Sequence, residues 1–277
     1  MSSEVIHKMK RLNVMLGFAG LFLLGSCASM QAAITCTTAD YNGTYAFITV
    51  GNFVQLPPAA AALVGPFAQA GVFIADGLGH VTIQSNASYN GIFLPANVPG
   101  TYTVNSDCTT VFQVTLPPPI SIPSTFTGVL STDNRQMALV ISSPPGTVVI
   151  GTHAKQDVRF CGVSTFSGAY SVDMGGGIPA GSPQSGLFHR VGRLVADGAG
   201  NFTAKTLANY NGTSVEEDFS GTYGVTADCG LSLSYSLTGS STTLGIGGYL
   251  AGHGDMAMVM VTSSGWSVSG TLKAQQP

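Results

Sequence analysis

Charged side chains are the scarcest feature of this sequence. Asp, Glu, Lys and Arg make up 8% of its 277 residues, whereas about 25% is typical of soluble domains. After residue 27 the chain carries seven Lys and Arg against twelve Asp and Glu, a net charge of −5. Nucleic acid is bound by clustered Lys and Arg, so this composition argues against a nucleic-acid partner. The hydrophobic fraction of 44% and its regular spacing argue against a disordered chain.

Motifs that carry chemistry are also missing. The sequence has no Gly-x-Ser-x-Gly, no His-Glu-x-x-His and no phosphate-binding loop. It has no Cys-x-x-Cys pair, and its Asp-Gly-x-Gly turns offer too few oxygens for calcium. We therefore predict no catalytic residue, no metal site and no cofactor. A Ser–His–Asp triad assembled in space would leave no such motif, so enzymatic activity stays open as the least favoured alternative.

The sequence contains an internal repeat of one domain. Segments of the first half recur in the second half at a constant offset of 121 residues. This spacing predicts two homologous domains, at 28–157 and 158–277. The matching pairs are Ala75–Gly79 with Ala196–Gly200, Tyr89–Gly91 with Tyr210–Gly212, Gly100–Tyr102 with Gly221–Tyr223, and Asp107–Cys108 with Asp228–Cys229.

The N-terminal 27 residues are predicted to be a lipoprotein signal peptide. Lys8, Lys10 and Arg11 precede an apolar run over 12–24, which is too short for a span of roughly 20 residues. The run ends at Leu24-Gly25-Ser26-Cys27, which resembles the bacterial lipobox, so Cys27 is the expected lipidation site. Acyl chains there would anchor the chain to a membrane. The resemblance implies the outer membrane, because no Asp follows Cys27. The alternative is cleavage after Ala28, giving a periplasmic or secreted protein.

The repeat selects one pairing for the remaining four cysteines. Cys36 and Cys161 each precede the first strand of a copy, while Cys108 and Cys229 occupy the same Asp-Cys turn. We predict disulfides Cys36–Cys108 and Cys161–Cys229, which require an oxidising compartment.

Alternation of apolar and polar residues predicts an all-β protein. Each copy shows eight short strands, with the fourth near 100–106 in the first copy and near 221–227 in the second. We predict two tandem eight-stranded antiparallel up-and-down β-barrels, because closure removes the sheet edges. Two β-sandwiches are the alternative. Asp76-Gly77 predicts a two-residue type I′ hairpin.

A meander places alternate connections at opposite ends of a barrel. In the first copy the "tight end" has the short turns, and the "loop end" has long apolar connections at 53–70, 91–99, 117–124 and 143–146. An eight-stranded barrel can hold one small ligand, so the loop end of copy one is our candidate mouth for a small hydrophobic ligand. The alternative is that these residues pack over the mouth or against copy two. The candidate mouth residues are Phe53, Leu56, Leu63, Phe67, Ile92, Phe93, Leu94, Ile120 and Ile122.

The corresponding loops of copy two are polar. Glu216-Glu217-Asp218, the only charge cluster, is expected in a solvated loop over 213–220. Arg190 and Arg193 could pair with it if the loops meet. His80, His153, His189 and His253 have no counterpart in the opposite copy, so we expect them to be surface or structural residues.

The Ala-Asp-Gly-x-Gly and Gly-Thr-Tyr-x-Val-x-x-Asp-Cys segments resemble uncharacterised exported repeat proteins of environmental bacteria. The architecture is similar to that of lipocalin-type and allene-oxide-cyclase-type barrels, and only the fold carries over. The favoured function is an envelope lipoprotein that binds or carries a small apolar ligand. A structural or adhesive surface protein comes second, and a cyclase or isomerase third.

Overall fold

The computed structural model describes residues 35–157, 161–237 and 242–275. The predicted signal peptide, including Cys27, lies outside the described residues. Within the described ranges, no helix is long and apolar enough to cross a membrane. Both halves of the repeat belong to one compact unit, Ile34–Pro277.

The first half of the chain is a closed barrel, barrel 1, whose eight antiparallel strands follow chain order, with the first strand pairing with the last. The strands are β1 (Asn42–Phe53), β2 (Gly65–Asp76), β3 (His80–Tyr89), β4 (Ile92–Val104), β5 (Thr109–Thr115), β6 (Pro123–Leu130), β7 (Gln136–Ser143) and β8 (Thr147–Lys155). A 3₁₀ helix, Pro58–Leu63, interrupts the connection between β1 and β2.

The second half repeats this plan as barrel 2, which is also closed by pairing of its first and last strands. The strands are β9 (Ser167–Ile178), β10 (Gly186–Asp197), β11 (Asn201–Tyr210), β12 (Thr213–Val225), β13 (Gly230–Leu237), β14 (Thr243–Ala251), β15 (Met256–Val261) and β16 (Ser267–Ala274). The all-β tandem-barrel prediction is confirmed, and the sandwich alternative is wrong.

Residue alternation places one hydrophobic core inside each barrel. In β11, Phe202, Ala204 and Ala208 point inward and are buried, while Thr203 and Lys205 point outward and are exposed. Burial of these inward faces is the main favourable contribution to the fold, at about 25 cal/mol per Å² of apolar surface.

The recurring sequence segments build the tight end of each barrel. The Asp76 carboxylate accepts hydrogen bonds from the backbone N–H groups of Leu78 and His80, at 2.7 and 3.0 Å. Asp197 makes the same pair of bonds in barrel 2. The turn is longer than the predicted two-residue type I′ form: it spans 77–79, with positive φ at Gly77 and Gly79.

The repeated Gly-Thr-Tyr tyrosines fill the floor of each barrel at the same end. The Tyr102 hydroxyl donates to the Tyr41 carbonyl at 2.5 Å, and the Tyr223 hydroxyl donates to the Phe166 carbonyl at 2.6 Å. The repeated segments therefore have a structural explanation in hydrogen bonding and burial.

The two barrels pack side by side through small side chains. Ala46 of β1 and Ala154 of β8 are buried against Ala251 and Met258 of barrel 2. Alanine at these positions lets two curved sheets approach closely. Hydrogen bonds cross the same seam, including one of 3.1 Å from the Ser269 hydroxyl to the Thr49 carbonyl.

Candidate functional site

The predicted mouth residues of barrel 1 gather at the loop end, but most of them are part of the core. Four are buried, three are partly buried against the core, Phe93 is half-buried and Ile92 is 42% exposed. The buried four are Phe53, Leu63, Phe67 and Ile120, and the partly buried three are Leu56, Leu94 and Ile122.

Aromatic rings and a short helix close this mouth. Phe53 and Phe67 meet edge to face with their ring centroids 5.1 Å apart, and Tyr89 lies 4.7 Å from Phe67. The 3₁₀ helix Pro58–Leu63 places Leu63 on the same cluster. Asn90 fixes the connection by donating its side-chain amide to the Ala62 carbonyl at 3.2 Å. The mouth is thus filled by the protein's own side chains.

The stretch 91–99, predicted as a loop, is instead mostly strand. β4 begins at Ile92 and pairs with β3 from that residue onward. Its pairing with β5 begins only at Gly100. Because the first half of β4 has a partner on one side only, Pro95 and Pro99 are tolerated there without breaking a second ladder.

The acidic cluster of barrel 2 is also on a strand. Residues 213–220, predicted as a solvated loop, form the first half of β12. Alternation along β12 leaves Glu216 and Asp218 outside and turns Glu217 into the barrel, where its exposed fraction is 8%. The cluster is therefore split between solvent and core.

Glu217 pairs with Arg190 inside barrel 2. Nη2 of Arg190 lies 2.7 Å from Oε2 of Glu217, and Nη1 of Arg190 donates to the Tyr235 hydroxyl at 2.8 Å. The Tyr210 hydroxyl donates to Oε1 of Glu217 at 2.5 Å. Burial and this hydrogen bond raise the pKa of Tyr210, so its proton stays in place. The contact between the predicted partners Arg190 and Glu217 is formed across the core instead of between loops.

Aromatic rings surround the guanidinium of Arg190. Its Cζ lies 5.3 Å from the ring centroids of both Phe188 and Phe219, within the range of cation–π attraction. Trp266 packs edge to face on Phe188 at 5.3 Å. Among the described residues, Nε of Arg190 has no hydrogen-bond partner. Arg193, the other predicted partner, donates to the Gln275 side chain at 3.0 Å on the outer surface.

Barrel 1 has an uncharged network at the equivalent positions. Gln69 occupies the place of Arg190, Ser85 that of Thr206, and Ala96 that of Glu217. Gln69 donates to the Ser85 hydroxyl at 2.7 Å and accepts from the Thr49 hydroxyl at 3.2 Å. Both barrels thus have a polar cross-link at the same level, which indicates a role in the fold.

His153 is a second buried polar group inside barrel 1. Its side chain is 1% exposed, with Nδ1 2.8 Å from the Tyr41 hydroxyl and its ring 4.2 Å from that of Phe73. Burial lowers the pKa of His153 to about 3, so the ring is neutral at physiological pH. In barrel 2, Phe166 takes the place of Tyr41, and strand register places Leu272 at the position of His153.

The three remaining predicted histidines lie on the surface. His80 contacts Asp76 at 2.8 Å, His189 contacts Asp173 at 3.0 Å, and His253 lies 3.9 Å from Asp157. Each contact joins a histidine to one carboxylate. No group of three or more metal-ligating side chains occurs among the described residues.

The disulfides join Cys36 to Cys108 and Cys161 to Cys229, one in each barrel, with the pairing that the repeat predicts. Both bridges lie at the tight end and draw the segment before the first strand across the barrel floor. Disulfides of this kind are typical of proteins exported to an oxidising compartment.

No protein-family model matches the chain, and no curated relative matches it. Among solved structures, the chain is similar to the isotype 1 transferrin-binding protein B from serogroup B Neisseria meningitidis. The identity is 9% and the TM-score 0.32, over 84% of this chain and 75% of that one. A likeness of this strength carries no conclusion about what this chain binds.

Proposed function

We propose that this chain is an exported protein of the cell envelope, anchored through acyl chains on Cys27, which acts through its outer surface as a structural or adhesive protein. The observation that supports this most directly is the filled mouth of barrel 1. Phe53, Leu63 and Phe67 occupy the space that a small apolar ligand would need. A carrier barrel keeps such a space open.

The interior of barrel 2 supports the same proposal. Its charged groups neutralise each other: Glu217 is held by Arg190 and Tyr210, and Arg190 is also held by Tyr235. A substrate or ligand would have to displace a buried ion pair to reach either charge, which is costly. The polar groups of this barrel therefore act as internal cross-links.

Lipid anchoring at Cys27 would place the body at a membrane. A body of two closed barrels, anchored at its N-terminal end, would present its outer surface to partners. The low charge of the outside is compatible with contacts made largely by backbone, hydroxyl and aliphatic groups.

Native mass spectrometry of the mature protein and titration with a lipophilic dye test this proposal. We expect an acylated N-terminal cysteine, both disulfides, no co-purified lipid and no saturable dye binding. In a matched pair of variants, a short glycine-serine turn replaces 55–63 in barrel 1 or 180–184 in barrel 2. Dye bound by the wild type at one per chain, and lost only in the barrel 1 variant, would establish the carrier function instead.

A further inference from the structure

The outer surface of barrel 1 carries an apolar face on three adjacent strands, β6, β7 and β8. Val129, Val140, Val148 and Ile150 point outward from it and are 56%, 44%, 65% and 61% exposed. Val140 and Ile150 are cross-strand neighbours, as are Val129 and Ala138. We call this surface the β6–β8 face. Monomeric proteins rarely expose large contiguous apolar patches, and such patches mark interaction sites.

The homologous face of barrel 2 is already an interface. Strand registers equate Met258 with Ala138, Met260 with Val140 and Ser269 with Ile150. These barrel 2 residues are 2%, 0% and 2% exposed, because their strands pack against β1 and β2 of barrel 1. The repeat therefore uses this face for barrel-to-barrel contact once, and on barrel 1 the described residues leave the corresponding face exposed.

Charge decides which surface the β6–β8 face can accept. Stacking a further barrel in the same head-to-tail way would bring up the outer face of β9 and β10 from another chain. That face exposes Leu187, Val191 and Val195, but His189 and Arg193 alternate with them on β10, and Asp173 lies beside them on β9. In barrel 1, β2 has Ala68 and Val72 at the positions of His189 and Arg193. Burying those charged groups against valines is unfavourable.

Pairing of the face with itself has no such penalty. Its outward residues are aliphatic or hydroxylic except Gln136. Arg135 at its border is paired with Asp157, and Lys273 of barrel 2 shares a groove with Val129 and Ala138 at the edge next to the seam. An uncharged apolar patch meets its own copy across a two-fold axis without charge repulsion, and two-fold contacts are the commonest kind in homo-oligomers. We propose that the β6–β8 face is a homodimer interface between two copies of this chain. This inference does not depend on lipidation or on the absence of a small ligand.

Cysteine cross-linking of the full chain in intact cells tests the proposal. A single added cysteine near a two-fold axis forms a disulfide with its own copy. We expect Ile150→Cys and Val140→Cys chains to give a dimer on non-reducing gels that disappears on reduction. Val195→Cys, at an exposed outer position of barrel 2, should remain monomeric. Adding Val140→Lys to the Ile150→Cys chain should lower the dimer fraction about tenfold, since a desolvated lysine on each copy costs more than 1.4 kcal/mol.

Each other result counts against the two-fold interface. Monomers from both barrel 1 cysteines, in chains whose mass shows both native disulfides, would overturn it. Adducts of Ile150→Cys with a different protein would assign the face to another partner. Dimers and longer ladders that appear only in the Ile150→Cys/Val195→Cys double variant would show head-to-tail stacking instead.

Discussion

Arg190 and Glu217 form an ion pair in the core of barrel 2, with Nη2 and Oε2 separated by 2.7 Å and exposed fractions of 2% and 8%. Removing two charges from water costs several kcal/mol for each ion, and mutual attraction offsets that cost only when both are present. Barrel 1 reaches the same architecture with Gln69 and Ala96 at these positions. The pair is therefore one of two solutions to the same packing problem.

The first prediction concerns this pair. Glu217→Ala leaves a buried guanidinium without its counter-ion, and Arg190→Gln leaves a buried carboxylate, so each single change should lower the free energy of unfolding by about 3–5 kcal/mol. The double variant Arg190→Gln/Glu217→Ala copies barrel 1 and should be more stable than either single variant. Urea unfolding of the four proteins gives the coupling energy.

Arg193→Gln is the matched control, because Arg193 lies on the outer surface of the same strand. Its cost should stay within about 0.5 kcal/mol. Additive effects of the two core changes would show that the pair contributes no coupling, contrary to this account.

The second prediction concerns His153 and acid. The pKa of His153 is lowered from 6.5 to about 3 by burial, so below pH 6.5 the unfolded chain binds a proton that the folded chain does not. The contribution of His153 to the free energy of unfolding should be complete above pH 6.5. It should decline by about 1.4 kcal/mol per pH unit as the pH falls toward 3. Unfolding free energies at several pH values between 4 and 8 measure this slope.

Carboxylates also titrate in this range, so the effect of His153 has to be isolated by difference. The variant Tyr41→Phe/His153→Leu reproduces the Phe166 and Leu272 combination of barrel 2. It should remain folded and should have a flatter stability profile between pH 4 and 6.5. Parallel profiles for the wild type and this variant would contradict a buried neutral histidine.

Most of the fold was predictable from the repeat. Alternation of Val81 and Ile83 with Thr82 and Gln84 marked the inner face. The matched Asp107-Cys108 and Asp228-Cys229 segments fixed which cysteines share a barrel. Without the repeat, the four cysteines after Cys27 would have left three disulfide pairings open. Because the two halves are homologous, features shared by both identify the residues that the fold requires.

The polar interior of barrel 2 was not predicted, because a charged side chain on an inner face looks locally like a loop. Val215, Glu217 and Phe219 follow the two-residue period, but Glu216 and Asp218 hide it. The 121-residue offset did indicate a strand here, because it places Leu94 and Val98 of barrel 1 at the positions of Val215 and Phe219. In barrel 1, Pro95 and Pro99 made the first half of β4 look like a loop. The strand tolerates both prolines because this half pairs with β3 alone.

The third prediction concerns the disulfides. The bridges span 72 and 68 residues, and closing loops of that size stabilises the fold by about 4 kcal/mol in the chain-entropy account. Replacing Cys36 and Cys108 together by serine should lower the melting temperature and should expose barrel 1 amides first in hydrogen exchange. The Cys161/Cys229 double serine variant is the matched control and should expose barrel 2 amides first. Uniform loss of protection in both barrels would show that each bridge stabilises the whole unit.

The fourth prediction concerns the seam between the barrels. Ala46 points out of barrel 1 and has no exposed surface, because Ala251 and Met258 cover it. Ala46→Asp places an unpaired carboxylate there, at a cost of several kcal/mol that barrel 1 can avoid only by separating from barrel 2. We expect one calorimetric transition in the wild type and two in this variant. Thr203→Asp, on the exposed outer face of β11, should keep the single transition. Two transitions in the wild type would mean that contact at the seam does not couple unfolding of the barrels. A single transition in Ala46→Asp would mean that the barrels stay in contact with the new carboxylate between them.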